Sequence, residues 1–204
     1  MYEKRMIMQH TRTLILTIIF LGIFFHGCKK SGDTIVDSPP IDNNLIKNSS
    51  FESNGNPSLE GWITYWPGIS LVQSVQDAPP GGGSWSVAIQ NGTQMSGNEV
   101  RYKVAAPATG KHAYRLSFWG KYTSGSRLNW SSQFGEIWLD RGDVQISDSK
   151  WGVKMDTTVW KLYSVIDTLD TRSSDSLIVR LVGCIDGLPS AITYFDLCRL
   201  EVAD

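Results

Sequence analysis

The chain has 204 residues, with 19 lysines and arginines against 20 aspartates and glutamates, a formal net charge of −1, and 41 % hydrophobic residues. A charge this balanced, without a basic stripe, argues against nucleic acid as a partner, because binding to a phosphate backbone rests on clustered Lys and Arg. Three histidines are too few for a multi-histidine zinc centre, and the two at positions 10 and 26 lie in the N-terminal leader.

In chain order, Lys4, Arg5 and Arg12 precede the apolar run Leu14-Ile-Leu-Thr-Ile-Ile-Phe-Leu-Gly-Ile-Phe-Phe25, which is followed by His26-Gly27-Cys28. Positive charges ahead of an apolar stretch make a secretion signal. As a helix the run would reach about 18 Å, short of the ~30 Å hydrocarbon core, so it is expected to be removed rather than to span. Gly27-Cys28 resembles the cleavage point of bacterial lipoprotein signals. That resemblance implies a lipidated Cys28 as the new N-terminus, held by more than one acyl chain because a single chain binds only marginally. It also implies a site in the cell envelope, at the outer membrane. The plainer alternative is an incidental thiol beside a generic signal. Residues 28–43, with Pro39-Pro40 and little apolar content, read as an extended tether. Loss of 1–27 removes Lys4, Arg5, Arg12 and Glu3, leaving 16 positive and 19 negative residues.

Residues 44–204 make one domain's worth of chain. Short alternating apolar segments recur in it, separated by Gly, Pro, Asn and Ser, and no segment carries a sustained helical period, so the domain is expected to be an all-β sandwich. The strands are read near 48–52, 84–90, 99–104, 114–122, 135–140, 160–166, 176–182 and 192–202. Because side chains alternate across a pleated strand, Tyr114, Leu116 and Phe118 face one way and Arg115, Ser117, Trp119 and Lys121 the other. The same rule turns Val87, Ile89, Ile137, Leu139, Leu177, Val179 and Leu181 inward. Trp62, Trp85 and Trp160 are assigned to packing, and Trp66, Trp130 and Trp151 to loops. Cys184 and Cys198 are expected to be buried free thiols, with a disulfide between them as the alternative.

The segments Asn44-Leu-Ile-Lys-Asn-Ser-Ser-Phe-Glu52, Leu59-Glu-Gly-Trp62, Pro80-Gly-Gly-Gly-Ser-Trp-Ser-Val-Ala-Ile89, Tyr114-Arg-Leu-Ser-Phe-Trp-Gly-Lys121, Trp160-Lys-Leu-Tyr-Ser-Val165 and Tyr194-Phe-Asp-Leu-Cys-Arg-Leu-Glu-Val202 resemble, in this order, the galactose-binding-like jelly rolls. Among these they are most similar to the carbohydrate-binding modules attached to xylanases and glucanases. The resemblance implies a two-sheet antiparallel jelly roll in which the second, seventh, fourth and fifth strands share a sheet. Its outer face would then carry Gln90, Arg115, Ser117, Trp119, Lys121, Glu136, Trp138, Asp140 and Arg180, with Trp119 and Trp138 side by side as platforms for sugar rings and polar neighbours for hydroxyls. The competing reading buries both tryptophans under the 123–134 loop. The resemblance also implies a structural calcium held by Glu52 and Asp196, against which stand two carboxylates that are merely exposed or hydrogen-bonded.

No enzyme is expected. Catalysis by histidine would rest on His112 alone, which is expected in a turn beside Gly110-Lys111, so a serine triad or a multi-histidine zinc site has too few parts. Glu136 and Asp140, four residues apart on one strand, would lie about 13 Å apart, too far for a glycosidase pair. The sequence therefore points to a non-catalytic, membrane-anchored lipoprotein that binds a polysaccharide or other glycan. The alternatives are a structural or adhesive module contacting an envelope protein, and an accessory subunit of an uptake complex.

Overall fold

The computed structural model describes residues 42–65, 68–73, 78–90, 98–123, 133–142, 144–146, 152–183 and 191–203. The signal, Cys28, most of the tether, Cys184, Trp66, Trp130, Trp151 and most of the 123–134 loop lie outside the described residues. Residues 42–204 form one compact unit.

Among the described residues all regular structure is β. In chain order the strands are β1 (Glu52–Ser53), β2 (Asn56–Pro57), β3 (Trp62–Tyr65), β4 (Ile69–Gln73), β5 (Trp85–Gln90), β6 (Glu99–Ala105), β7 (Gly110–Tyr122), β8 (Phe134–Arg141), β9 (Val144–Ile146), β10 (Val153–Lys154), β11 (Lys161–Thr171), β12 (Ser176–Val182) and β13 (Ile192–Val202). Strands β1 and β2 make a small hairpin. A front sheet runs β10-β8-β12-β6-β3, with β9 beside β8, and a back sheet runs β11-β7-β13-β5-β4. From β5 to β8, and again through β11, β12 and β13, successive long strands alternate between the sheets. The domain is an antiparallel jelly-roll sandwich.

The core follows from the alternation. Tyr114, Leu116 and Phe118 on β7, Val87 and Ile89 on β5, and Leu177, Val179 and Leu181 on β12 are all fully buried between the sheets, and Ile137 and Leu139 on β8 nearly so. Phe118 packs against Tyr163 and Phe195, at 5.7 and 5.4 Å between centroids. Burying a side chain of this size stabilises by about 1.5–3 kcal/mol. Opposite it, Gly135 makes room: a Cβ there would sit 2.3 Å from the Phe118 ring. Trp62 is buried as expected, 4.9 Å from Phe51 and 5.2 Å from Tyr102, and its indole N–H donates to the Asn48 carbonyl at 2.8 Å. The glycine before it is required, since Gly61 has a φ of 80° and a Cβ would meet the Tyr102 ring at 2.7 Å.

Several expectations need correction. Residues 48–51 are not strand, and β2, β3, β4, β9 and β10 are strands that the alternation did not reveal. Trp85 is half-buried, and its indole N–H reaches the Gly55 carbonyl of the β1–β2 hairpin at 3.3 Å. Trp160 is only half-buried and stands 6.5 Å from Tyr194. His112 lies within β7, opposite Leu169, rather than in a turn. Cys198 is a buried free thiol. The largest correction concerns the sheets. The fifth and seventh expected strands, β8 and β12, belong to the front sheet, whereas the second and fourth, β5 and β7, belong to the back sheet. Both edges of β7 are taken by β11 and β13, so β8 has no place beside it.

Candidate functional site

Because the sheets divide this way, the residues expected on one face lie on two. Glu136, Trp138, Asp140 and Arg180 are on the front sheet, and Gln90, Arg115, Ser117, Trp119 and Lys121 are on the back sheet. Trp119 and Trp138 are not neighbours, and no paired-indole platform forms.

The front sheet carries a denser arrangement than expected. Register places Ile63, Arg101, Arg180 and Glu136 in one row across β3, β6, β12 and β8. Tyr65 and Glu99 are opposite each other in the next row, and Trp138, Ile178 and Lys103 align on the other side. These residues face away from the core because their neighbours Val100, Tyr102, Val179 and Ile137 face into it. The Arg101 guanidinium lies 4.1 Å from the Tyr65 ring centroid and 5.5 Å from that of Trp138, so the two rings are within about 10 Å of each other. The Arg180 guanidinium covers the Trp138 ring at 3.8 Å.

Carboxylates hold both guanidiniums in place. Glu99, 3 % exposed, pairs with Arg101 and with Arg180, whose Nε donates to it at 3.0 Å. Arg180 also pairs with Glu136. Burial raises the Glu136 carboxyl above the usual range, against the opposing pull of the Arg180 charge and hydrogen bonds from Trp138 and Arg180. At the border Lys103 donates to Asp140 at 2.5 Å. Arg101, Arg180 and Lys103 thus each meet a carboxylate, and two rings sit beside them, with Tyr65 37 % exposed. Tyr65, Glu99 and Arg101 were missed by the sequence reading. For Tyr65 the only sequence signal is the four-residue alternation Trp62-Ile-Thr-Tyr65, which buries Trp62 and turns Tyr65 outward; for Glu99 and Arg101 there is none, since their role depends on partners distant in sequence.

The back sheet is organised differently. Arg115 and Arg199 both donate to Glu201, at 3.1 and 2.7 Å. Lys121 stands over Trp160 and Tyr194 at 4.9 and 5.2 Å. Trp119 is half-buried between Leu162 and Asp196 of its neighbouring strands. Gln90 ends β5 and accepts from Asn98 Nδ2 at 2.6 Å through its carbonyl. The chain enters the domain on this side, where Arg199 bonds Asn43 and lies 3.9 Å from Asp42.

Glu52 and Asp196 come together at one end of the back sheet. A bulge in β13 between Asp196 and Arg199 sends Leu197 into the left-handed region, with φ 48°. Phe51, just before Glu52, does the same at 56°. Backbone strain in non-glycine residues costs of order 1–3 kcal/mol each and persists only where the surroundings enforce it. Asp196 is fully buried; its Oδ1 accepts from the Leu197 N–H at 2.7 Å and its Oδ2 has no partner among the described residues. Burial pushes its carboxyl up to about 7, the Leu197 N–H opposes that, and the negative charge of Glu52 adds to it. Gly82 and Gly83 line both groups: a Cβ on Gly82 would lie 2.9 Å from Asp196 Oδ2, and one on Gly83 would fall onto the Glu52 carboxylate. Two buried-side carboxylates, one oxygen orphaned and the loop kept bare, are a donor set suited to a hard cation. No cluster of three or more His, Cys, Asp or Glu occurs among the described residues, so further oxygens would come from the backbone or water.

A family model described as a carbohydrate binding domain matches residues 43–176. The chain belongs to this family. Among solved structures, the carbohydrate-binding domain is similar to Family 16 Carbohydrate Binding Module-2, with 20 % identity over 77 % of this chain and 99 % of that one and a TM-score of 0.51. It is similar to a cyclase from Fischerella sp. TAU, at 18 % identity over 76 % and 94 % with a TM-score of 0.51. It is also similar to the enzymatically active domain of tailspike protein 4 of bacteriophage CBA120, at 16 % identity and a TM-score of 0.55; 78 % of this chain is covered but only 21 % of the tailspike. These likenesses establish the fold. No curated protein matches the chain.

Proposed function

We propose that the carbohydrate-binding domain holds its glycan on the outer face of the front sheet, with Tyr65 and Trp138 as ring platforms and Arg101 and Arg180 as donors. The observation that carries this reading is the guanidinium of Arg101 set between the two aromatic rings. Sugars present C–H faces that pack on aromatic rings and hydroxyls that need directed partners. An arginine has five N–H donors, and the bonds from Arg180 to Glu99 and Glu136 leave others for hydroxyls. Because carboxylates lock the arginines, little side-chain freedom is lost when a ligand binds. The proposed role is binding without catalysis.

A glycan array on residues 29–204 tests this directly. Trp138→Ala and Tyr65→Ala are each expected to weaken binding of the array's best glycan by about tenfold or more, the scale of losing an aromatic anchor. Trp119→Ala, on the other sheet, should leave it unchanged. The reverse pattern would move the site to the back sheet.

Glu52 and Asp196 would hold the calcium. The ion supplies positive charge where two carboxylates converge and thereby ties the start of the domain to its last strand. Calcium at 100 times its Kd is expected to stabilise the chain by about 2.7 kcal/mol in a thermal melt, and Asp196→Asn to abolish the gain. An equal gain in both proteins would show that the ion binds elsewhere.

Lipidation of Cys28 would attach the chain to the outer membrane. Labelled palmitate should appear on the wild-type chain and be lost in Cys28→Ser; its absence from the wild type removes the anchor.

A further inference from the structure

Glu136 and Trp138 are two residues apart on β8, so their side chains stand side by side on the outer face of the front sheet. The Glu136 carboxylate accepts from the indole N–H of Trp138 and pairs with Arg180, directly opposite it on β12. The Arg180 guanidinium in turn lies 3.8 Å from the centroid of the Trp138 ring. One carboxylate therefore holds the ring at its edge and, through Arg180, over its face. Glu136 itself has little room to move: it is 8 % exposed, and Gly152, just ahead of β10, packs so close that a Cβ there would fall 2.6 Å from the Glu136 Cβ.

We propose that Glu136 is a positioning residue of the sugar platform, one that fixes the rotation of the Trp138 ring and the face that Arg180 covers. The torsion that turns an indole ring is broad and two-fold, and an acceptor fixed at its N–H selects one of the two settings. Hydrogen bonds to a charged group are roughly twice as strong as those between neutral groups, so the selection depends on the carboxylate keeping its charge. The consequence for binding rests on the front sheet holding the glycan; the effect on the ring does not.

The charged and titratable groups that share this face with Glu136 are Arg180 on β12, Glu99 and Arg101 on β6, Tyr65 on β3 and Lys154 on β10, with Lys103 and Asp140 paired beyond Trp138. Burial raises the Glu136 carboxyl above the ordinary glutamate range, against the pull of the Arg180 charge. The charged form is the one that holds the ring. Its orientation is therefore complete above that raised value and is lost as the pH falls through it, before a solvated glutamate would take up its proton.

The test incorporates fluorotryptophan into the full chain and identifies the fluorine resonance of Trp138 by its loss in Trp138→Phe. On acidification from neutral pH this resonance is expected to move as Glu136 takes up its proton. Glu136→Gln, which keeps an acceptor for the indole but no charge for Arg180, should hold it at one position across the same range, with urea unfolding showing both chains folded. Affinity for the best glycan on the array should fall about tenfold in Glu136→Ala, as in Trp138→Ala, and recover in part in Glu136→Gln. The fluorine measurement needs no glycan, so it decides the role of Glu136 whatever the array returns. A resonance that stays still in the wild type, or moves just as far in Glu136→Gln, overturns the positioning role. A resonance that moves while the glycan binds undiminished leaves Glu136 holding the ring and overturns the front-sheet site instead.

Discussion

Glu99→Ala is expected to destabilise the domain by about 3–5 kcal/mol, the range for removing one member of a buried ion pair. The Glu99 side chain is 4 % exposed and serves two guanidiniums, Arg101 and Arg180, which are themselves 18 % and 14 % exposed. Truncation leaves two desolvated positive charges, of which Arg180 keeps Glu136 as a carboxylate partner. It also frees Arg180 from its position over Trp138, so affinity for a glycan should fall along with stability. Urea unfolding followed by tryptophan fluorescence measures the first effect, and titration of a ligand found on the array measures the second. Glu99→Gln, which keeps an acceptor, should lose less. A loss below about 1 kcal/mol in Glu99→Ala would mean that water screens the network as it screens a surface pair.

Phe118→Ala is expected to cost about 3–5 kcal/mol, because a fully buried aromatic ring leaves a cavity that close-packed sheets fill only in part. Gly135→Ala should cost about 1–3 kcal/mol by the opposite route, since the added methyl enters space held by the Phe118 ring. The two positions touch, so their effects should not add. Phe118→Leu combined with Gly135→Ala is expected to be more stable than the sum of the single changes predicts, measured as a double-mutant cycle in urea. Strict additivity would show that Gly135 is not the point at which the sheets approach. Gly135 precedes Glu136 on β8, so the same contact sets the height of the strand that carries Trp138.

Much of the fold was legible in the residues. The period of two in 114–122, 84–90, 135–140 and 176–182 picked out Tyr114, Leu116, Phe118, Val87, Ile89, Ile137, Leu139, Leu177, Val179 and Leu181, all of them buried between the sheets, because a strand with one face on a core has a single arrangement that hides its apolar set. Trp62 was placed in the core by the family resemblance of Leu59-Glu-Gly-Trp62, and it is buried. The short strands β2, β3, β4, β9 and β10 were not, since two to five residues carry too little alternation to stand out from loops. Missing β3 meant missing Tyr65, and with it the partner that Trp138 actually has across the face. Glu99 and Arg101 lay inside a strand that was read correctly, yet their role depends on Arg180 and Tyr65, which are distant in sequence.

The amino-acid sequence by itself determined the fold class, the core and the side on which each long strand turns its polar residues, because these depend on local alternation and on the free energy of burying apolar surface. Only the tertiary structure decided which strands lie beside which. Trp119 and Trp138 have the same outward parity, but pairing between strands far apart in the chain is a choice of hydrogen-bond partners that parity does not encode. Once β11 and β13 occupy both edges of β7, the two indoles belong to opposite faces, and the ring that stands near Trp138 is that of Tyr65.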